Sequence, residues 1–223
     1  MSREIVLSLS GAAASYGGRA VLSDVDLQVS VGEKVAIMGR SGAGKSTLLG
    51  LLYALRPEAI ALVPQAAALV RPLSVFHNVY MGRLDRNSTI ANLRTLVRPR
   101  RQDVDEIGGV LRTVGLADKI FESAGALSGG QQQRASVARA LYNGRSILLG
   151  DEPVSALDRV QGAEVLALIN RNHETVVTAM HDVELALEFC NRIVVLESGR
   201  KIIDVPSKDL SADRLIAHFG AAI

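Results

Sequence analysis

The run Gly39-Arg40-Ser41-Gly42-Ala43-Gly44-Lys45-Ser46-Thr47 constrains this 223-residue chain more than any other stretch. It follows a short apolar segment, Lys34-Val35-Ala36-Ile37-Met38, and leads into a helical pattern from Leu48 to Leu55 that Arg56-Pro57-Glu58 stops. Gly39 to Ser46 fits G-x-x-x-x-G-K-[ST] in full, between a strand and a helix as the motif requires. Glycines let the backbone curl so that successive N–H groups point inward, and the helix start adds partial positive charge. Lys45 supplies a full charge for β- and γ-phosphates, and the Ser46 hydroxyl suits Mg²⁺. The run therefore predicts a cradle for a nucleotide's phosphates.

The rest of the chain fits around that loop. Ile5 to Leu9 and Val21 to Val29 alternate apolar and polar residues as half-buried strands do, with Gly17-Gly18 as the turn. Ile60-Ala61-Leu62-Val63, Ser146 to Leu149, Val176 to Ala179 and Ile193 to Leu196 read as further strands. Gln131 to Tyr142, Gly162 to Asn170 and Val183 to Phe189 read as helices. From Val75 to about Leu116 the pattern is helical, broken near Asn87-Ser88 and Arg98-Pro99. The expectation is one α/β unit over 1–223. A core around a mainly parallel sheet spans about 1–65 and 146–223, and an α-helical lobe spans about 70–142.

A hydrophobic content of 48% against 22% charged residues provides a sizeable core and excludes global disorder. A net charge of +2 argues against a protein built to hold nucleic acid. Cys190 is the single cysteine, so no internal disulfide framework forms, and a packed small hydrophobe is its expected role. No histidine pair has zinc-ligand spacing, and no run of about 18 apolar residues occurs. Residues 5–15 faintly imitate a leader segment, but Glu4, Ser8, Ser10 and Gly11 break it, and a strand is the better reading.

A second acidic element, Gly150-Asp151-Glu152, ends the strand Ser146 to Leu149, where ligands of α/β sheets gather. Asp151 is placed to hold Mg²⁺ and Glu152 to polarise an attacking water as general base.

Together with Leu127-Ser128-Gly129-Gly130-Gln131, these elements resemble the ATP-binding cassette (ABC) family, in its order and across essentially the whole chain. Gln65 stands where that family has its Q-loop glutamine, Ser155-Ala156-Leu157-Asp158 resembles the D-loop, and His181 follows its strand as the switch histidine does. Tyr16 resembles the aromatic that stacks on adenine. The resemblance implies an ABC-type P-loop NTPase that hydrolyses ATP with Mg²⁺. Glu152, His181 and Gln65 would serve catalysis. Tyr16, Gly39 to Thr47, Ser128, Gly129, Gly130, Gln131 and Asp158 would bind nucleotide. Ser46, Gln65 and Asp151 would bind the metal. It also implies a head-to-tail homodimer bridged by ATP, since one subunit's phosphate loop faces the other's Ser128-Gly129-Gly130-Gln131.

No fused membrane domain is present, which resembles a transporter ATPase bound peripherally to separate membrane permease subunits. It would lie on the cytoplasmic face of a prokaryotic plasma membrane, with a solute-binding protein as an indirect partner and no nucleic acid. Leu73-Ser74-Val75, Asn78-Val79 and Met81-Gly82-Arg83-Leu84 resemble the phosphonate-type importers, which also serve phosphite and related oxyanions. An importer of phosphate, sulfonate or amino acids, or a regulatory ATP-binding module, stays open. One departure from the family is the short stretch 48–64, which implies a reduced antiparallel β arm beside the nucleotide. Residues 83–101 hold six arginines against one acid, Asp85. Such a run can meet nucleic acid or anionic lipid headgroups, and a solvated helical face is the reading favoured at this level.

Overall fold

The computed structural model describes residues 4–219, so the extreme ends of the expected 1–223 unit lie outside the described residues. Strand β3 (Lys34–Met38) runs at the centre of a six-stranded sheet and is buried on both faces, which explains why it reads as continuously apolar. Val35 and Ile37 enter one core while Ala36 and Met38 enter the other, as the two-residue period of a strand requires. With β4 (Ile60–Val63), β5 (Ile147–Asp151), β6 (Thr175–Ala179), β7 (Arg192–Glu197) and β8 (Arg200–Pro206), the order is β4-β5-β6-β3-β7-β8. The first five strands are parallel, and β8 adds to β7 antiparallel.

A separate antiparallel pair, β1 (Ile5–Tyr16) and β2 (Arg19–Ser30), packs with α1 (Lys45–Leu55) against one face of the large sheet. Leu48, Leu49 and Leu52 of α1 meet Leu7, Leu22, Leu27 and Val29 there. Both strands run further than the sequence predicts, because the alternation continues into Ala12–Tyr16 and back to Arg19 with bulges that shift the register. After α1, a single turn at Pro57–Ala59 feeds β4 directly, as the short 48–64 stretch predicts.

The other face carries the helices. Here α2 (Val75–Tyr80), α3 (Thr89–Val97), α4 (Arg101–Thr113) and α5 (Gly129–Asn143) form the lobe between β4 and β5. The helices α6 (Arg159–Asn172), α7 (Val183–Phe189) and α8 (Ala212–Phe219) complete the layer. Phe76 is fully buried in α2, stacked on Tyr80 at 6.0 Å and tilted against Phe121 at 6.1 Å. Removing such a ring costs about 3–5 kcal/mol.

Neither β8 nor α8 is predicted from the sequence, and the physical reason is visible. No position of β8 is fully buried, so its alternation is weak. Its anchor is electrostatic: Arg192 on β7 forks onto Asp204 at 2.7 and 3.0 Å, and also reaches Glu33 at 2.9 Å. Burial pushes the Asp204 carboxyl up, but hydrogen bonds from Arg192 and Lys201 outweigh it and hold the pKa below the ordinary value. No helix among the described residues is long and apolar enough to cross a membrane.

Candidate functional site

The predicted cradle begins where β3 ends. Gly39, Gly42 and Gly44 have φ of 152°, 78° and 100°, a region that a side chain disfavours. Packing fixes two of them. A Cβ on Gly39 would collide with the Leu196 carbonyl, and one on Gly44 would lie 2.6 Å from Leu22 Cδ2 and 2.9 Å from the Val21 oxygen. Gly44 is the N-cap of α1, with no side-chain cap and no acid in the first turn. By contrast, Ser74, Ser88, Ser128, Asp158 and Asp182 cap α2, α3, α5, α6 and α7. The first-turn N–H groups of α1 are thus left without a side-chain acceptor at a positive helix end, which is what an anion needs.

Lys45 is buried, and its Nζ bonds the carbonyls of Gly39 at 2.8 Å and Arg40 at 3.2 Å, so it is held over the loop. Ser46 lies exposed at the mouth beside half-buried Thr47. A cavity of about 220 Å³ adjoins the loop, lined by Arg40 to Ala43 and by Leu196 to Ser198. Tyr16 stands at the tip of the β1–β2 hairpin, paired with Arg19 and 65% exposed. Because Val21 and Leu22 of the same hairpin press on Gly44, that tip sits next to the cradle.

The acidic pair closes β5. Asp151 Oδ1 is buried and has no hydrogen-bond partner, an arrangement that costs energy unless a cation or water completes it. Glu152 turns out of the strand with φ of 53°, held by its N–H donating to Ala179 O at 3.1 Å. Its Oε2 accepts from Gln65 Nε2 at 3.3 Å and lies 3.3 Å from His181 Nε2. Glu152's side chain is only 14% exposed and that of His181 is 55% exposed. Gln65 after β4 and His181 after β6 therefore converge on the carboxylate of Glu152 at the end of β5.

The second predicted group lies elsewhere. Ser128 caps α5 in a capping box: its hydroxyl accepts from Gln131 N–H at 3.4 Å, while its own N–H donates to Gln131 Oε1 at 2.9 Å. The helix starts at Gly129, earlier than the sequence reading near Gln131, because that box extends it. Since α5 packs on the face opposite α1, one chain does not assemble Ser128–Gln131 and the phosphate cradle into a single pocket. Asp158 caps α6 with both oxygens engaged by Gln161, its backbone N–H at 2.9 Å and its Nε2 at 2.5 Å.

Two residues that the sequence reading missed tie these groups together. Buried Gln133 donates to Glu152 O at 2.6 Å and accepts from Ala156 N–H at 2.7 Å, clamping the turn after Glu152 to the α5 helix. Arg139 bonds Ala68 O at 2.8 Å and Ala67 O at 3.0 Å, holding the segment after Gln65, where both alanines have positive φ. Burial depresses its pKa from the ordinary value. The available signal was phase: Gln133 recurs with Val137 and Ala140 on the buried stripe of α5, where a polar side chain needs a partner. Cys190 is buried, and burial raises its thiol pKa to about 12, so it is unreactive packing.

Residues 22–155 match the family model described as "ABC transporter". The protein named "Phosphonates import ATP-binding protein PhnC" from Pseudomonas entomophila is 38% identical, covering 96% of this chain and 91% of that protein. Its Caulobacter vibrioides namesake is 33% identical over 99% and 95%. Among solved structures, a dimeric bacterial ABC transporter cassette superposes with a TM-score of 0.79 at 27% identity, covering 91% of this chain and 99% of that one. A dimeric cassette in a post-hydrolysis state bound to ADP and Pi gives 0.75 at 26% identity, with the same coverage.

Proposed function

This chain belongs to the ABC transporter family, and from that premise we propose that it is the ATP-hydrolysing subunit of an importer for phosphonate or a related phosphorus oxyanion. The observation that carries the catalytic reading is the convergence of Gln65 and His181 on the carboxylate of Glu152, beside the orphaned Asp151 oxygen. The solute class rests on the relatives' names, because the ATPase subunit's own residues do not touch the cargo.

In this reading, the first-turn amides of α1 and Lys45 hold the β- and γ-phosphates, and Tyr16 offers its exposed ring to the adenine. Ser46, Asp151 and Gln65 are the residues that fit Mg²⁺: an exposed hydroxyl, a buried unpaired carboxylate oxygen and a side-chain amide. The metal supplies charge neutralisation to the phosphates. Glu152 takes the proton from the attacking water, a role worth about 10²–10⁴ in rate. His181 orients that water and the γ-phosphate, and Gln65 steadies the Glu152 carboxylate.

The capped start of α5 offers Ser128, Gly129 and Gly130 to a second copy's ATP, because within one chain that helix start lies across the sheet from the cradle. ATP then bridges a head-to-tail homodimer at the cytoplasmic face of the membrane, where permease subunits are driven by closure and release.

The test is Mg²⁺-dependent ATP hydrolysis by the purified chain over a range of protein concentrations. The rate per subunit is expected to rise with concentration at low protein and to vanish in Glu152→Gln. A per-subunit rate independent of concentration would refute the shared site, and full activity in the variant would refute Glu152 as base.

A further inference from the structure

Helix α3 is built inside out. Its inward side carries Ala91, Asn92 and Thr95, with Thr95 fully buried and Asn92 bonded to Tyr80 Oη at 3.2 Å and Leu84 O at 3.0 Å. Its outward side carries Ile90, Leu93 and Val97, spaced i, i+3, i+7 on one stripe, with Ile90 81% and Val97 87% exposed. A nine-residue helix whose core contacts are largely polar has no packing reason to expose four large apolar side chains, Leu96 beside the stripe being the fourth. Beside the stripe stand Arg94, Arg98, Arg100 and Arg101, all exposed and without an ion pair among the described residues. Elsewhere in the lobe arginines do pair: Arg83 with Glu106 at 2.6 Å, and Arg145 with Asp85 at 2.5 Å.

We propose that the outer face of α3 and the adjoining Arg98–Arg101 turn dock on the anionic headgroup surface of a phospholipid bilayer. Charge complementarity selects this occupant. Four unpaired guanidiniums flanking an apolar stripe match phosphate oxygens above an acyl boundary, the pattern of a helix lying in a membrane interface. Guanidinium also binds phosphate in a fork, which a solvated face does not need. The structure thus changes the sequence reading of this basic run: a solvated helical face accounts for the arginines but not for Ile90, Leu93 and Val97. The proposal is independent of ATP hydrolysis, since α3 contributes none of Lys45, Asp151, Glu152 or His181.

Flotation of the full chain with phosphatidylglycerol vesicles, against pure phosphatidylcholine vesicles, tests it. Binding is expected on phosphatidylglycerol only, weakening as salt rises. Arg98→Gln with Arg100→Gln should lower the affinity by ~5-fold per charge removed. Leu93→Ser with Val97→Ser should lower it as well. Unchanged ATPase activity in both variants would show that the fold is intact, because these side chains face outward. No flotation, equal flotation on both lipids, or flotation indifferent to both variants would overturn the proposal. If the same variants instead lost a detergent-solubilised permease while the vesicles bound nothing, the surface would be a protein contact and the proposal would fall.

Discussion

Lys45 shows how much one side chain is asked to do. It sits buried at the base of the cradle, with Nζ on two loop carbonyls, so the cost of holding a cation there is partly met before any phosphate arrives. Lys45→Ala is expected to weaken ATP binding by ~10- to 150-fold, the equivalent of about 1.5–3 kcal/mol for a charged hydrogen bond. Titration of a fluorescent ATP analogue checks this, and unchanged affinity would remove Lys45 from the site. A second residue governs acid sensitivity. His173 Nδ1 lies 2.7 Å from Arg145 O, so that nitrogen carries the proton, while Nε2 is buried without a partner. Burial holds the His173 pKa below its ordinary 6.5, with the Arg145 hydrogen bond opposing and Lys34 adding to the depression. As pH falls through about 6.5, the unfolded chain takes up a proton that the folded chain resists, and stability drops. The depressed Asp204 acts later, losing its contribution only as pH falls below the ordinary carboxylate value of 3.8. His173→Asn, whose side-chain amide reaches the Nδ1 position and keeps a donor for Arg145 O, is expected to flatten the decline of Tm between about pH 7 and 5. An unchanged decline would assign it to other groups.

At the scale of elements, α5 is the connector. Its first residue follows the Ser128 cap, Gln133 clamps the turn after Glu152, and Arg139 grips the segment after Gln65. One helix therefore joins the Ser128 capping box, which the proposed dimer offers to a second copy, with the groups around the carboxylate. Gln133→Ala leaves the Ala156 N–H without its acceptor, and a loss of about 1–3 kcal/mol in stability is expected. Turnover should fall at saturating ATP while ATP affinity holds, because the cradle is on the other face of the sheet. Equilibrium unfolding and steady-state kinetics measure the two effects, and a fall in affinity alone would contradict the clamp. This clamp was not legible in the sequence, where Gln131, Gln132 and Gln133 look alike and only helical phase singles out the third. Glu152 could be chosen because its place at a strand end is local information, and Gln65 and His181 because their positions after strands resemble the family's. Their meeting within 3.3 Å could not, since it depends on the β4-β5-β6 order of the sheet. Likewise β3 announced itself by burial on both faces, whereas β8, held by Arg192 and Asp204 rather than by a core face, left no hydrophobic period to read.

At the scale of the whole molecule, the proposed function makes two separate regions incomplete halves of one site. The α1 cradle and the Glu152 cluster lie at the ends of the parallel strands, while α5 packs on the sheet face opposite α1, which keeps its capped start apart from the cradle. In the proposed dimer, a second copy turned head to tail would supply what each lacks; the solved relatives described as dimeric cassettes share this fold. The short 48–64 connection leaves every residue of the proposed phosphate site in place, because α1 passes through one turn at Pro57–Ala59 into β4. The most direct test of this account is the sedimentation of Glu152→Gln with and without ATP. With the base removed and the cradle intact, ATP should stay bound and convert the variant from monomer to a stable dimer. A variant that binds ATP yet remains monomeric would contradict the shared site.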